Sequence, residues 1–434
     1  MKLAEIFCDN MILQWGSGTQ IFGEGEGSGF VEFSCNRVEF EANNGRFIVD
    51  LPYLNLGDNF DMVVSLEDES VTIKNILVGE VFLAGGQSNM ELTLADAENT
   101  GICDLPMVRV FEVKVADENE TSESGWQICC GDVSKISAVA YYFAQRLQSE
   151  VEVPIGIISC NQGASRIHSW VSKEVSQKPI FKKSIDLHNE KEELYKFNLD
   201  NFLYYNKLLK IVPYTIKGAL WYQGESNAVK GEAEHYCEMF SELVFHWRSL
   251  WKCDLPFYTV QLMPYIQGPW LVDWAMVRKQ QERASKTIPD VYMVTLFDTG
   301  ETDEIHPKKK RGVGLALADC VLNTLFNRTE LEYSGPVLRE WKKKGHTAEL
   351  VFDHTKELML DCDWCMDTYI YDSTGQHYEV NERTAKAKIA GNRLIVEWGN
   401  ELDPIGIKMG YWNAPNHKLK NECGYLASPF DVRF

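Results

Sequence analysis

From Val81 to about Phe326 the sequence keeps one rhythm, with strand-like runs alternating with helix-like ones. "EVFLAG", "VPIGIIS", "IKGALWY", "LPFYTVQL" and "VYMVTLF" are rich in β-branched, aromatic and other apolar residues, as strands are. Between Val133 and Glu150, apolar residues fall at Ile136, Val139, Ala140, Phe143, Ala144 and Leu147, one stripe at helical period. Such alternation restricts the fold to an α/β layer architecture with a mostly parallel sheet. In sheets of that kind the ligand site lies beyond the carboxyl ends of the strands.

The flanks read differently. Residues 1–78 hold short β-runs ("TQIFGEG", "GFVEFSC", "GRFIVDLP", "FDMVVSL") separated by Gly, Asn and Asp. "ANNGRF" is a hairpin signal, because Asn-Gly accepts positive φ at low steric cost. Residues 331–434 return to strands and turns in "HTAELVF", "DTYIYDSTG", "NRLIVEWG" and "IGIKMGYW". A chain of 434 residues is too long for one ordinary domain. The expected organisation is a β-sandwich-like module over 1–78, an α/β domain over 79–330 and a second β-module over 331–434.

A formal net charge of −20 repels polyanions, so neither nucleic acid nor an anionic membrane surface is an expected partner. No apolar run approaches the ~20 residues that span a bilayer. Glu5 and Asp9 interrupt the apolar character of the N-terminus, so no signal peptide is read there and a cytoplasmic location is expected. The 12 cysteines are then read as reduced, buried thiols. Cys362-x-x-Cys365 lacks a second pair or histidines at ligand spacing, and vicinal Cys129 and Cys130 are treated alike, so no metal or cofactor is expected. "LHNEKEELYKFNLDNF" reads as a charged amphipathic helix or flap, and "KKKR" at 308–311 as a solvated face. Oligomeric state has no sequence signature here.

Four polar loops follow predicted strands: Gly85 to Asn89, Asn161 to Ser165, Gln223 to Asn227, and the stretch holding Asp303 and His306. Pro307 suits the first position of a following helix. Acyl transfer needs these residue types. A serine hydroxyl is a weak nucleophile until a base takes its proton, so Ser88 calls for His306. Asp303, three residues earlier, is placed to hold the far ring nitrogen, with Asp298, Glu301 and Glu304 nearby as alternative acids. The oxyanion of a tetrahedral intermediate needs donors set beforehand. The backbone amides of Ser88 and Gly163, with a side-chain amide from Gln223 or Asn227, are the candidates.

"GQSNM", "WYQGESN" and "IHPKKKRGVGLALA" together resemble the sialate O-acetylesterase family of the SGNH, or GDSL, hydrolase superfamily. "FCDNMILQW" and "IFGEG" near the start, and "YWNAPNHKLKNECGYLASPF" at the end, extend the resemblance over nearly the whole chain. It implies an SGNH-type three-layer hydrolase domain, with Ser88 as nucleophile, His306 as base and Asp303 as orienting acid. Two departures stand out. Gly86-Gln87-Ser88 replaces the superfamily's Gly-Asp-Ser, and "NQGAS" stands where a Gly-Gly pair is usual. The implied activity is removal of O-acetyl groups from a mono- or oligosaccharide through an acetyl-serine. Acetylated sialic acid is the first substrate and acetylated xylan or its oligosaccharides the rival; Arg166 is a candidate fork for a sugar carboxylate. Trp170, Trp221 and Tyr222 read as core. The contrasting reading is a carbohydrate-binding protein without turnover.

Overall fold

The computed structural model describes residues 1–115, 125–189, 195–199, 201–266, 273–297, 300–360 and 367–434, with backbone alone at 186–189. Asp298, Cys362, Cys365 and the middle of the charged 187–202 stretch lie outside the described residues. Two compact units emerge. The first is Met1–Ser226 with Glu238–Tyr258, and the second is Asn227–Cys237 with Thr259–Phe434.

The spine of the first unit is β1, an 18-residue strand over Glu69–Gly86. Its first half pairs antiparallel with Asn59–Leu66, and its middle pairs parallel with Ile12–Gln14. Its second half lies between two parallel partners, β4 (Ile155–Asn161) and β5 (Gly218–Tyr222). The sequence of β1 records the change of surroundings. Exposed residues at its start give way to unbroken burial from Ile76 onward, as a strand covered on both faces requires. On the far side of β4 come β2 (Leu105–Glu112), parallel, and β3 (Trp126–Cys129), antiparallel. The sheet is therefore mixed, with its parallel part at the centre.

Helix α2 (Ala138–Val151) is capped by Ser137, whose Oγ accepts from the Ala140 amide at 3.2 Å. The predicted stripe from Ile136 to Leu147 is buried throughout. At "ANNGRF", Asn44 and Gly45 both take positive φ, as the turn demands. The flanking strands, Asn36–Ala42 and Arg46–Asp50, then enter different sheets, so the turn joins two layers. Part-buried and buried hydrogen bonds tie the N-terminal segment and the start of β1 to β2 and β3. Arg109 on β2 donates to the Asn10 and Asn75 carbonyls at 2.9 and 2.6 Å, and Trp126 Nε1 to Ile6 O at 2.9 Å.

The second unit contains β7 (Val291–Val294), reached through β6 (Phe257–Val260), with helices α3 (Trp274–Thr287) and α4 (Lys310–Leu325). It also holds two four-stranded antiparallel sheets built from residues 337–433. Leu350, Phe352, Leu394, Val396, Ile370, Ile407, Met409 and Phe430 form the core of that C-terminal part. The sequence boundaries at 78/79 and 330/331 partition the chain differently from these units: β1 runs unbroken through 78/79, and residues 259–330 cluster with the C-terminal strands.

Three local expectations are corrected. α4 starts at Lys310, because turns over 301–309 hold the chain out of the helix and leave Pro307 buried before it. The "KKKR" run is not one solvated face, since Lys310 points inward at 1% exposure while its three neighbours are exposed. The cysteines are not all buried: Cys35, Cys103, Cys253 and Cys423 face solvent.

Candidate active site

Register brings three of the polar loops level. Gly86 at the end of β1 is opposite Asn161 of β4 on one side and Tyr222 of β5 on the other. The residues that follow, Gln87, Gln162 and Gln223, thus leave the sheet at one carboxyl edge. Gly86 has φ +135°, and a Cβ there would meet the Tyr222 carbonyl oxygen at 2.1 Å, so no other residue fits this exit.

Ser88 is half-buried and begins a single helical turn, α1 (Ser88–Glu91). The residue before it explains the Gly-Gln-Ser departure. Gln87 is buried, and its Oε1 accepts from Gln223 Nε2 at 3.2 Å, the Gly224 amide at 3.3 Å and the Ser226 amide at 3.2 Å. One glutamine oxygen thus ties the Ser88 turn to the loop after β5. Beyond Ser88, Asn89 Nδ2 donates to the buried Glu225 carboxylate at 2.6 Å, a second tie between the same loops.

Gly163 lies against the serine. A Cβ at this glycine would stand 3.6 Å from Ser88 Cβ and 2.8 Å from Glu91 Oε2. Its amide donates to that Glu91 oxygen at 2.6 Å. Two residues on, Ser165 Oγ donates to Gly86 O at 3.3 Å. Asn198 holds the loop from outside, accepting from the Arg166 amide at 2.9 Å and donating to Ala164 O at 3.0 Å. Arg166 itself is buried at 5% exposure. Trp170, Trp221 and Tyr222 are fully buried, as a core role requires. Cys160, one residue before the end of β4, is no rival nucleophile: burial pushes its thiol up to about 12, far from the thiolate.

Two of the anticipated oxyanion donors have other employment. Gln223 is fully buried, and its amide nitrogen donates to Gln87 Oε1 and to Ser165 O at 3.1 Å, which uses both of its hydrogens. Asn227, which falls in the second unit, donates through Nδ2 to Glu232 at 2.6 Å. With both amide hydrogens on internal acceptors, Gln223 ties the loops together.

In the second unit, Asp303 and His306 sit on the turn-rich segment before α4. His306 is half-buried, and its backbone amide donates to Glu304 Oε1 at 2.8 Å. Asp303 is exposed and has no hydrogen-bond or ion-pair partner among the described residues, so the expected bond to the His306 ring is not formed here. Backbone bonds suspend the segment: the Ile266 amide donates to Thr302 O at 2.6 Å, and the adjacent Tyr265 amide to Asn413 O at 3.0 Å. Behind them lies the fully buried Arg278. Its guanidinium donates to the Asn413 carbonyl at 3.2 Å and to the Trp412 carbonyl, and stands 5.5 Å from the Phe297 ring centroid. His417 makes an edge contact with the same Phe297 ring and bonds through Nε2 to Ala427 O at 2.7 Å. Its burial drives the imidazole pKa down to about 4.

Among the described residues, no group of three or more His, Cys, Asp or Glu side chains is arranged to hold a metal. Sequence reasoning missed Gln87, Glu91 and Asn198. Gln87 precedes Ser88 within its own motif and Glu91 directly follows that motif, a signal that was available. Asn198 had none, since only folding brings it to Ala164.

A family model described as "Carbohydrate esterase, sialic acid-specific acetylesterase" matches residues 78–323. The sialate O-acetylesterase of Mus musculus is 24% identical over 350 residues, covering 67% of this chain and 64% of its own. The Homo sapiens sialate O-acetylesterase is 22% identical over 366 residues, 74% of this chain and 68% of its own. The chain thus spans just under two thirds of the mouse protein it matches. A crystal structure of a carbohydrate acetylesterase from Xanthomonas citri superposes with TM-score 0.85 at 27% identity, over 99% of both chains.

Proposed function

Because the chain belongs to the sialic acid-specific acetylesterase family of carbohydrate esterases, we propose that it hydrolyses sugar O-acetyl esters through an acetyl-serine on Ser88. The observation that carries this reading is the packing of Gly163 against Ser88 at the common carboxyl edge of β1, β4 and β5. In this reading residues 79–330 form the SGNH-type three-layer domain, and 1–78 and 331–434 are its flanking β-modules.

Ser88 Oγ attacks the acetyl carbonyl while His306 takes its proton. The carbonyl oxygen becomes an oxyanion received by the Ser88 and Gly163 amides. As the carbonyl re-forms, the ester C–O bond breaks and the sugar hydroxyl leaves with the proton from His306. Water, activated by His306, then attacks the acetyl-serine and releases acetate. Asp303 is assigned to orient His306. Gln87 and Gln223 act behind the chemistry as loop ties, and Asn227 is the side-chain amide assigned to the oxyanion beside the two backbone amides.

The substrate is an O-acetylated mono- or oligosaccharide, with acetylated sialic acid first because of the family, and Arg166 is the group that would recognise its carboxylate. Acetate release should be measured from 9-O-acetylated sialic acid and from acetylated xylo-oligosaccharides, with Ser88→Ala as blank. Preference for the sialic acid supports the reading, and preference for the xylo-oligosaccharides replaces the substrate while keeping the reaction. Release that persists in Ser88→Ala removes the acetyl-serine.

A further inference from the structure

The amide that this mechanism assigns to the oxyanion is already taken, since Glu91 Oε2 accepts from Gly163 N–H at 2.6 Å. A contact this short between a carboxylate and an N–H is among the stronger hydrogen bonds a protein makes. It is not what shapes the loop. The Gln162 amide and Ser165 Oγ both bond to Gly86 O, at 3.1 and 3.3 Å, and Asn198 grips Ala164 and Arg166. The loop is therefore anchored on both sides of Gly163 by bonds that do not involve Glu91.

The carboxylate oxygen stands where a carbonyl oxygen would have to stand to use this amide, and it bears the charge that an oxyanion develops. Substrate and Glu91 cannot both hold the donor. Glu91 is half-buried, is the last residue of the single-turn helix that Ser88 begins, and lines a cleft of about 470 Å³. Among the described residues, that cleft is also bounded by Ser137, Ser159, Asn161 and the cation of Lys135. The same lining holds Glu112 and Lys114, so its charges are mixed, and the side chain has room toward which to move.

We propose that Glu91 is a latch on the oxyanion site: it occupies the Gly163 amide in the resting enzyme and is displaced when an ester carbonyl enters. The proposal rests on the acetyl-serine reading, and its test separates the two. Hydrolysis of 4-nitrophenyl acetate, a small ester with no sugar to recognise, is followed for the wild type, Ser88→Ala, Glu91→Ala and Glu91→Gln. Removing the competing carboxylate should raise kcat/KM about tenfold in Glu91→Ala, the order of one charge-assisted hydrogen bond no longer broken. Glu91→Gln, which keeps an acceptor but not the charge, should rise about threefold on the same grounds. Ser88-dependent turnover in the wild type with an unchanged or lower kcat/KM in Glu91→Ala overturns the latch and leaves the acetyl-serine standing. No Ser88-dependent turnover in the wild type overturns the acetyl-serine reading, and the latch with it. If Glu91→Ala fails to fold, Glu91→Gln decides: a rise supports the latch and its absence overturns it.

Discussion

The Ser88 edge and the His306 segment are built by opposite means. Around Ser88, buried amides and carboxylates within the first unit bind one another: Gln87 to Gln223, Gly224 and Ser226, and Asn89 to Glu225. Around His306, Asp303 reaches into solvent, Glu304 folds onto the local backbone, and the segment hangs from Ile266 and Tyr265. The first region is overdetermined by side chains inside short motifs. Both regions draw on partners more than a hundred positions away, but the second relies on backbone carbonyls and rings, those of Trp412, Asn413 and His417 gathered around Arg278 and Phe297, rather than on side-chain amides and carboxylates bound to one another. Preorganisation is thus concentrated around Ser88, the proposed nucleophile, while His306, the proposed base, hangs from a support that can be loosened separately.

The comparison can be broken most sharply at its two poles. Ser88→Ala should lower kcat by about four orders of magnitude or more, with unfolding stability within about 0.5 kcal/mol of wild type, since a half-buried hydroxymethyl contributes little packing. His306→Ala should cost about three orders of magnitude in kcat. Steady-state kinetics with a denaturation curve on each variant measures both, and a His306→Ala enzyme of full activity would remove the second region from the chemistry.

Acid should separate the two regions next. The folded pKa of His417 is near 4, below its ordinary 6.5, so the native state prefers the neutral ring. The stability this contributes is present above pH 6.5 and is lost as the pH falls through 4. The full loss is about 3 kcal/mol, from 1.36 kcal/mol per pKa unit. Hydrogen exchange should therefore quicken around Phe297, Trp412 and Asn413 between pH 6.5 and 4 before it does around Gln87 and Gln223. His417→Gln, which keeps a donor for Ala427 O, should flatten that response. Equal acceleration in both regions would contradict the separation.

The smallest effect sharpens the base side. Asp303→Asn should lower kcat by about tenfold, because a carboxylate in solvent has little preformed hold on the imidazole. Glu304→Gln, measured alongside, identifies the acid: a larger loss there than in Asp303→Asn would transfer the role to Glu304.

Much of this was legible without coordinates. The alternation from Val81 to Phe326 announced an α/β sheet; β5 falls within the run "IKGALWY", and β4 overlaps "VPIGIIS" and runs two residues beyond it. The stripe from Ile136 to Leu147 is buried because its period matches the helix that forms. Pattern failed where local choices were overridden. Pro307 is compatible with a helix start, yet the chain turns three residues longer before α4 begins. Lys310 carries a charge that predicts exposure, yet the helix aims it inward.

The sequence alone determined the alternation of strands and helices and the candidate residues for acyl transfer, because periodicity and residue chemistry are local properties. Tertiary structure alone decided which polar atoms are spent on one another. Gln223 gives its amide hydrogens to Gln87 and Ser165, Asn227 gives one to Glu232, and the Gly163 amide goes to Glu91. The reason is physical: a buried donor must find an acceptor, and which acceptor lies within hydrogen-bonding distance depends on strand register and loop packing rather than on spacing along the chain.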